Sequence, residues 1–370
     1  MNNFWHDLPQ PFFVLAPMEA VTDVVFRHVV ARAGAPDIYF TEFTNATGWV
    51  HAGEKAIGGR LLKTDDEQPI VAQIWGGEPG DMEQLAAHCH ELGYHGIDIN
   101  MGCPAKSAIK SGGSALIRNP ELAAEAITAA KTAGLPVSVK TRLGYTHIDE
   151  WRDWLARLLR QDIVNLTIHL RTKKEMSKVP AHHELIPEII ALRDELAPQT
   201  LLTINGDIAD RAHGLELIAK YPGINGIMIG RGVFHNPFCF ATSSLSTSHA
   251  SSGDGVRGSA QIVCPTGQKS GADAPAGPES SDLRANSKGV RDDGSGGENT
   301  DARKAELFAL LGYHLDLFDK YQSQLHRPFE TLKRFFKIYI RGFDGAADLR
   351  DQLMHTKSTD EVRAVLINHR

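Results

Sequence analysis

Short runs of valine, isoleucine and leucine punctuate the first two-thirds of this chain, at residues 12–16, 37–43, 69–75, 96–101, 136–142, 163–170, 201–205 and 226–230. The runs are continuous rather than alternating, which marks strands covered on both faces, as in a parallel sheet. Amphipathic stretches at 81–92, 120–133, 149–159, 186–196 and 210–220 lie between them and read as helices. Eight such strands alternating with helices predict an α/β chain that closes into a (β/α)8 TIM barrel. An open doubly wound sheet is the alternative, but the G-x-G-x-x-G turn it carries after its first strand is missing.

The pattern then stops. Residues 242–302 are rich in Ser, Gly, Asp and Pro, hold no aromatic residue and show no periodicity. Such a segment buries too little apolar surface to offset its ordering entropy, so a disordered linker is expected, with Cys264 an idle thiol within it. Periodicity returns at 306–322 and 328–340, which predicts a small C-terminal helical bundle over 303–370 behind a barrel over 1–241. Pro328 suits the first turn of the second helix. On its wheel Leu332, Phe335, Phe336 and Tyr339 share one side, while Arg327, Lys333, Arg334, Lys337 and Arg341 gather opposite. That basic face suits an RNA backbone, although a lysine-rich surface helix without a ligand looks the same.

Composition narrows the classes. Of 370 residues, 42% are hydrophobic and 23% charged, which is ordinary for a globular protein, and the net charge of -6 confines any nucleic-acid surface to a local patch. No apolar run is long enough to span a bilayer, and residues 1–7 lack the basic stretch and apolar core of a secretory leader. The four cysteines form no CxxC pair, so a reducing, cytoplasmic setting is expected and a disulfide framework is not. His88-Cys89-His90 with His95 lacks metal-ligand spacing, and no metal is expected.

In a (β/α)8 barrel the chemistry sits where strands end. The first run ends in Pro17-Met18-Glu19, the third carries Gln73, and the fourth supplies Asn100 and Cys103. The fifth carries Lys140 and Arg142, the sixth ends in His169 and Arg171, the seventh in Asn205-Gly206-Asp207, and the eighth in Gly230-Arg231-Gly232. Glycine-rich turns after the last two strands can hold a phosphate, with Arg231 adding charge. Together with Gln73, Lys140 and His169 across the mouth, this set suits flavin mononucleotide (FMN). Gln73 can bond the flavin edge, and Lys140 can stabilise the anion of the reduced ring. Each residue also has a plainer reading: Cys103 as a core thiol, Lys140 as a Schiff-base lysine, His169 as a satisfied core histidine, Arg231 as a loop pin.

The motif series Ala16-Pro17-Met18-Glu19-Ala20-Val21-Thr22-Asp23, Asp98-Ile99-Asn100-Met101-Gly102-Cys103-Pro104, Val139-Lys140-Thr141-Arg142-Leu143-Gly144, His169-Leu170-Arg171-Thr172, Asn205-Gly206-Asp207-Ile208 and Gly230-Arg231-Gly232 resembles that of the tRNA-dihydrouridine synthases. The likeness covers about residues 11–240, and the tail matches more loosely. It implies an FMN-dependent, NADPH-consuming enzyme that reduces the C5–C6 double bond of a uridine in the D-loop of tRNA. By motif, Pro17, Met18, Glu19, Gln73, Lys140, His169, Asn205, Gly206, Asp207, Gly230 and Arg231 hold FMN. Cys103 is then the general acid and Asn100 contacts the uracil. Arg142 and Arg171 meet the flipped nucleotide or its phosphate, and Arg327, Lys333, Arg334 and Lys337 of the tail grip the tRNA. A monomer without membrane or metal partners is expected.

The chain departs from the family in two places. It has Ala20 where many members carry Gly, and Lys174-Glu175-Met176-Ser177-Lys178 where a tyrosine is common. Two rival functions stay open at this level: an FMN barrel acting on a free pyrimidine, and a non-catalytic RNA-binding barrel.

Overall fold

The computed structural model describes residues 3–105, 108–110, 112–242 and 297–369. Its centre is a parallel sheet of β1 (Phe12–Leu15), β2 (Tyr39–Phe40), β3 (Thr44–Asn45), β4 (Ile70–Trp75), β5 (Gly96–Met101), β6 (Val137–Arg142), β7 (Asn165–His169), β8 (Leu201–Asn205) and β9 (Gly226–Ile229). The order β1-β9-β8-β7-β6-β5-β4-β2 runs once around the sheet, and a parallel bridge between Val14 and Ile38 joins its ends. The result is the predicted (β/α)8 barrel. One strand differs from the reading: the run at 37–43 pairs only over Tyr39–Phe40, and a second short piece, β3, adds onto the end of β4.

The helices begin where side chains can cap them. Asp23, Asn119 and Asp210 accept the backbone N–H groups of Phe26, Leu122 and His213 at 2.9, 3.3 and 2.9 Å. Helices Val24–Ala33, Pro79–Glu91, Pro120–Lys131, Trp151–Leu159, Ile186–Leu196 and Arg211–Lys220 surround the barrel. They cover the outward faces of the strands with a continuous buried apolar cluster.

Inside, the barrel is graded. At its amino end Trp5, Phe12, Val14, Ile38, Phe40 and Met228 form a separate apolar cluster, plugged by the short helix Phe4–Asp7. Above that plug the buried residues of β4 to β8 turn polar: Gln73, Asp98, Ser138, Thr167 and Thr203.

The tail is helical, with altered boundaries. Its first helix spans Gly297–Leu325, so residues 297–302 of the predicted linker belong to it. The rest of that linker, Cys264 included, lies outside the described residues. The predicted helix at 328–340 is a tight 3-10 stretch, Phe329–Phe335, followed by a single α-turn, Phe336–Tyr339. Leu332, Phe335, Phe336 and Tyr339 are all buried. Helices Ala346–His355 and Thr359–Ile367 complete the bundle. No helix among the described residues is long and apolar enough to cross a membrane.

Candidate active site

The carboxyl ends of β1 and β6–β9 enclose a cavity of about 420 Å3, a size suited to a small ligand. Nine of the residues read from the sequence as cofactor contacts line it: Pro17, Met18, Lys140, His169, Asn205, Gly206, Asp207, Gly230 and Arg231. Glu19 and Gln73 stand outside that lining. Glu19 forms an ion pair with Arg60, and Gln73 is fully buried behind the cavity.

Strand pairing brings the chemistry together. Gln73 is in register with Asp98, Asp98 with Ser138, and Asn100 with Lys140. The buried Asp98 carboxylate accepts the Ser138 hydroxyl and the Gln73 amide N–H, each at 2.6 Å. The Gln73 carbonyl in turn accepts the Asn100 amide at 3.0 Å. The Asn100 Oδ1 accepts the backbone N–H groups of Gly102 and Cys103 at 3.0 and 2.9 Å. This chain runs from a buried carboxylate to the turn that carries the thiol, and it sets the orientation of both amides. Asn100, read as a base contact, therefore also shapes the Cys103 turn.

Charge is held in unusual states here. Burial pushes Asp98 up to about 6 despite the hydrogen bonds of Ser138 and Gln73. Burial, reinforced by the Arg142 guanidinium, brings Lys140 down to about 8. Among the described residues the Lys140 ammonium meets no hydrogen-bond acceptor, although it lines the cavity. Burial also raises the Cys103 thiol above its ordinary value, so the proton stays on sulfur at neutral pH. His169 is driven well below its ordinary value by burial and by Arg142, Lys140, Arg171 and Arg231 around it. It is neutral. Arg171 Nη1 lies 3.1 Å from His169 Nε2, and arginine only donates, so Nε2 accepts and the ring proton sits on Nδ1.

The two arginines read as substrate contacts are both tied to the protein. Arg142 donates to the carbonyls of Gly102, Thr172 and Met176 at 2.7, 3.2 and 3.0 Å. Arg171 donates to the Val179 carbonyl at 2.6 Å and pairs with Asp207. Asp207 also meets Arg231 at 3.3 Å and accepts the Ala181 N–H at 2.8 Å, and these cations and donors hold its carboxyl below the ordinary range against partial burial. Gly206, with φ of 127°, leaves room that a side chain would take from Ala181 and His169.

The basic residues of the tail divide. Arg327 does not join an exposed face: it is half-buried against the barrel between Asp23 and Glu42, at 2.9 and 2.5 Å. Arg334 is exposed and donates to the carbonyl of Ala20 at 3.1 Å, and Lys333 donates to that of Met354 at 2.9 Å. Lys337 is exposed. Arg341 reaches the carbonyls of Phe234 and His235 beside the cavity.

The sequence pattern of the dihydrouridine synthase family (Dus) matches residues 14–269 of this chain. A Bacillus subtilis protein named "Probable tRNA-dihydrouridine synthase 2" is 53% identical over 367 residues, covering 99% of this chain and 96% of that one. A Staphylococcus epidermidis protein named "Probable tRNA-dihydrouridine synthase" is 51% identical, covering 99% and 95%. The chain belongs to the dihydrouridine synthase family. Among solved structures, an old yellow enzyme homologue from Zymomonas mobilis is 14% identical and covers 61% of this chain and 86% of that one, with a TM-score of 0.43.

Three residues of this dihydrouridine synthase site escaped the sequence reading. Asp98 and Ser138 anchor the amide chain, and Ser177 lines the cavity from the loop after β7. Asp98 had a usable signal: it alternates with Asn100 on one face of a strand whose other face is wholly apolar. Ser177 had none, because its place depends on how a long loop returns over the barrel.

Proposed function

We propose that this chain is an FMN-dependent, NADPH-consuming tRNA-dihydrouridine synthase that reduces the C5–C6 double bond of a uridine in tRNA. Family membership supports the reaction class. The observation that carries the cofactor is the Lys140 ammonium, which borders the cavity with no acceptor of its own beside a neutral His169. The nearby Asp98 carboxylate is already engaged by Ser138 and Gln73, so the desolvated Lys140 cation gains from an electron-rich ring with a phosphate tail. The residues present therefore fit FMN. Lys140 and His169 would hold the ring, and Arg231 with the turns at Gly206 and Gly230 would take the phosphate. Gln73, buried behind the cavity and wired to Asp98 and Asn100, would support the site from beneath.

The chemistry FMN would supply when bound there is hydride transfer, from NADPH to C6 of the uracil. Cys103 delivers the proton that C5 then needs, and its burial keeps that proton available at neutral pH. Asn100 holds the turn that aims the thiol and offers its remaining amide N–H to the base. The base must leave its stack to reach the site, at a cost of a few kcal/mol. Contacts from Arg334 and Lys337 to the RNA backbone offset that cost. Both the RNA and the redox cofactors belong to the cytoplasm.

Mass mapping of dihydrouridine in tRNA from cells with and without the gene tests the reaction. Cys103→Ala tests the mechanism: it should retain FMN, seen as flavin absorbance after gel filtration, and lose at least about 100-fold in turnover. An undiminished rate removes Cys103 from the reaction.

A further inference from the structure

Among the described residues the tail approaches the mouth of the barrel from one side. Its arginines meet the loop after β1, through the Ala20 carbonyl, and the loop after β9, through the Phe234 and His235 carbonyls. In the order around the barrel, β5, β6 and β7 lie across the mouth from those loops. On that far rim a second cationic feature stands by itself. Tyr145, in the loop after β6, has the Arg118 guanidinium 4.2 Å from its ring centroid and the Lys173 ammonium 4.8 Å from it. Arg118 ends the turn Gly113–Arg118 that follows Cys103, and Lys173 opens the loop after β7. That loop adds the exposed Lys174 and Lys178, and its Ser177 lines the cavity.

Among the described residues none of these four cations pairs with a carboxylate. The acid closest to them in sequence, Glu175, is engaged by the Thr172 N–H at 2.7 Å and by His182 at 2.9 Å. Glu150 is likewise engaged, by the N–H groups of Tyr145 and His147 at 2.6 and 2.8 Å. Two cations sharing one aromatic ring repel each other. The ring fixes their positions and lowers their freedom, but it neutralises neither. A surface that collects unneutralised charge on a rigid aromatic post, at the edge of a reaction cavity, is built for a polyanion.

The geometry points to Arg118, Tyr145, Lys173 and Lys174 as a second grip on the phosphodiester backbone of the RNA substrate, opposite the tail. The inference rests on the reading of tRNA as substrate. The RNA then spans the mouth, held at both rims while the target base descends between them. It also gives a role to the lysine-rich segment after β7, Lys173, Lys174 and Lys178: charge against the RNA backbone.

The test is tRNA binding as a function of salt, with the FMN-loaded full chain. Arg118→Gln with Lys173→Gln should flatten the slope of log affinity against log salt by about 1.5 and weaken binding about 10-fold near 0.1 M salt. FMN content should not change. Lys220→Gln is the control, because Lys220 lies 5.0 Å from the Tyr221 ring in the last turn of Arg211–Lys220, away from the mouth. It should bind as wild type does. If the double variant unfolds, Lys174→Gln with Lys178→Gln, both on exposed side chains, should flatten the slope in the same direction. Wild-type slope and affinity in either folded variant overturn the second grip alone. A wild-type protein that shows no salt-dependent tRNA binding overturns the substrate reading, and this inference with it.

Discussion

At the amino end of the barrel Trp5 packs edge-on against Phe12 and Phe40, with ring centroids 5.8 and 6.5 Å apart, in an apolar plug that holds no charge. At the carboxyl end the same sheet carries Asp98, Lys140, Arg142, His169 and Arg171 within one neighbourhood, several of them with displaced proton affinities. Both ends are built from strand residues of alternating direction, and only their chemistry differs. The lesson is a division of labour: burial at one end stabilises, while burial at the other costs stability and sets proton affinities and unpartnered charge in place for a ligand.

The strongest way to break that contrast is at the plug. Trp5→Ala should cost about 3–5 kcal/mol in urea unfolding, because it leaves a cavity among rings that cannot collapse. FMN affinity of the folded fraction should be unchanged. Trp5→Phe should cost much less, since the buried indole N–H has no partner to lose among the described residues. A Trp5→Ala protein that melts like wild type and loses FMN reverses the assignment of the two ends.

A smaller effect should appear in the pH dependence of the ligand-free protein. Lys140 is held down to about 8 from an ordinary 10.5. Between those values the unfolded chain binds more protons than the folded one, so stability rises with pH from about 8 to 10.5. Asp98 is held up to about 6 from an ordinary 3.8, so the folded chain keeps the extra proton and stability falls as pH rises through that window. Lys140→Met should erase the rise and Asp98→Asn the fall, read from unfolding free energies across pH. Identical pH profiles in wild type and both variants would mean the mouth carries no such penalty.

The smallest change sharpens the picture at the first loop. Ala20 adopts a left-handed conformation, φ 58°, beside Met18 and Glu19, which costs a residue with a Cβ about 1 kcal/mol. Ala20→Gly should raise stability by roughly that amount, a shift measurable by thermal melting. A lowered melting temperature would show that the loop needs the stiffness of alanine more than relief from strain.

Much of this could be read from the chain. Continuous apolar runs marked the strands because each is buried on both faces, and the polar residues that interrupt them at Asn100, Lys140 and His169 marked the mouth. The run at 37–43 overstates β2 and stops short of β3, because a strand of two residues has no period to detect. The stretch at 328–340 is largely 3-10, although its apolar residues Leu332, Phe335, Phe336 and Tyr339 keep α spacing and are all buried, so the side-chain pattern alone did not distinguish the two helix types. Arg327 is the clearest case of hidden information. Its wheel position matched its basic neighbours, yet its partner Glu42 lies 285 residues away, and only the docking of tail on barrel turns it from a surface cation into a half-buried tie.

What the sequence determined by itself was local and repetitive: strand and helix order, the caps, and the residue types at strand ends, because these follow from a few neighbouring side chains and a fixed period. Which polar groups have partners, which protons are held and which cations stand unpaired was decided only by the tertiary structure. Those properties depend on distance and desolvation between residues far apart in the chain, and neither is written in the order of the amino acids.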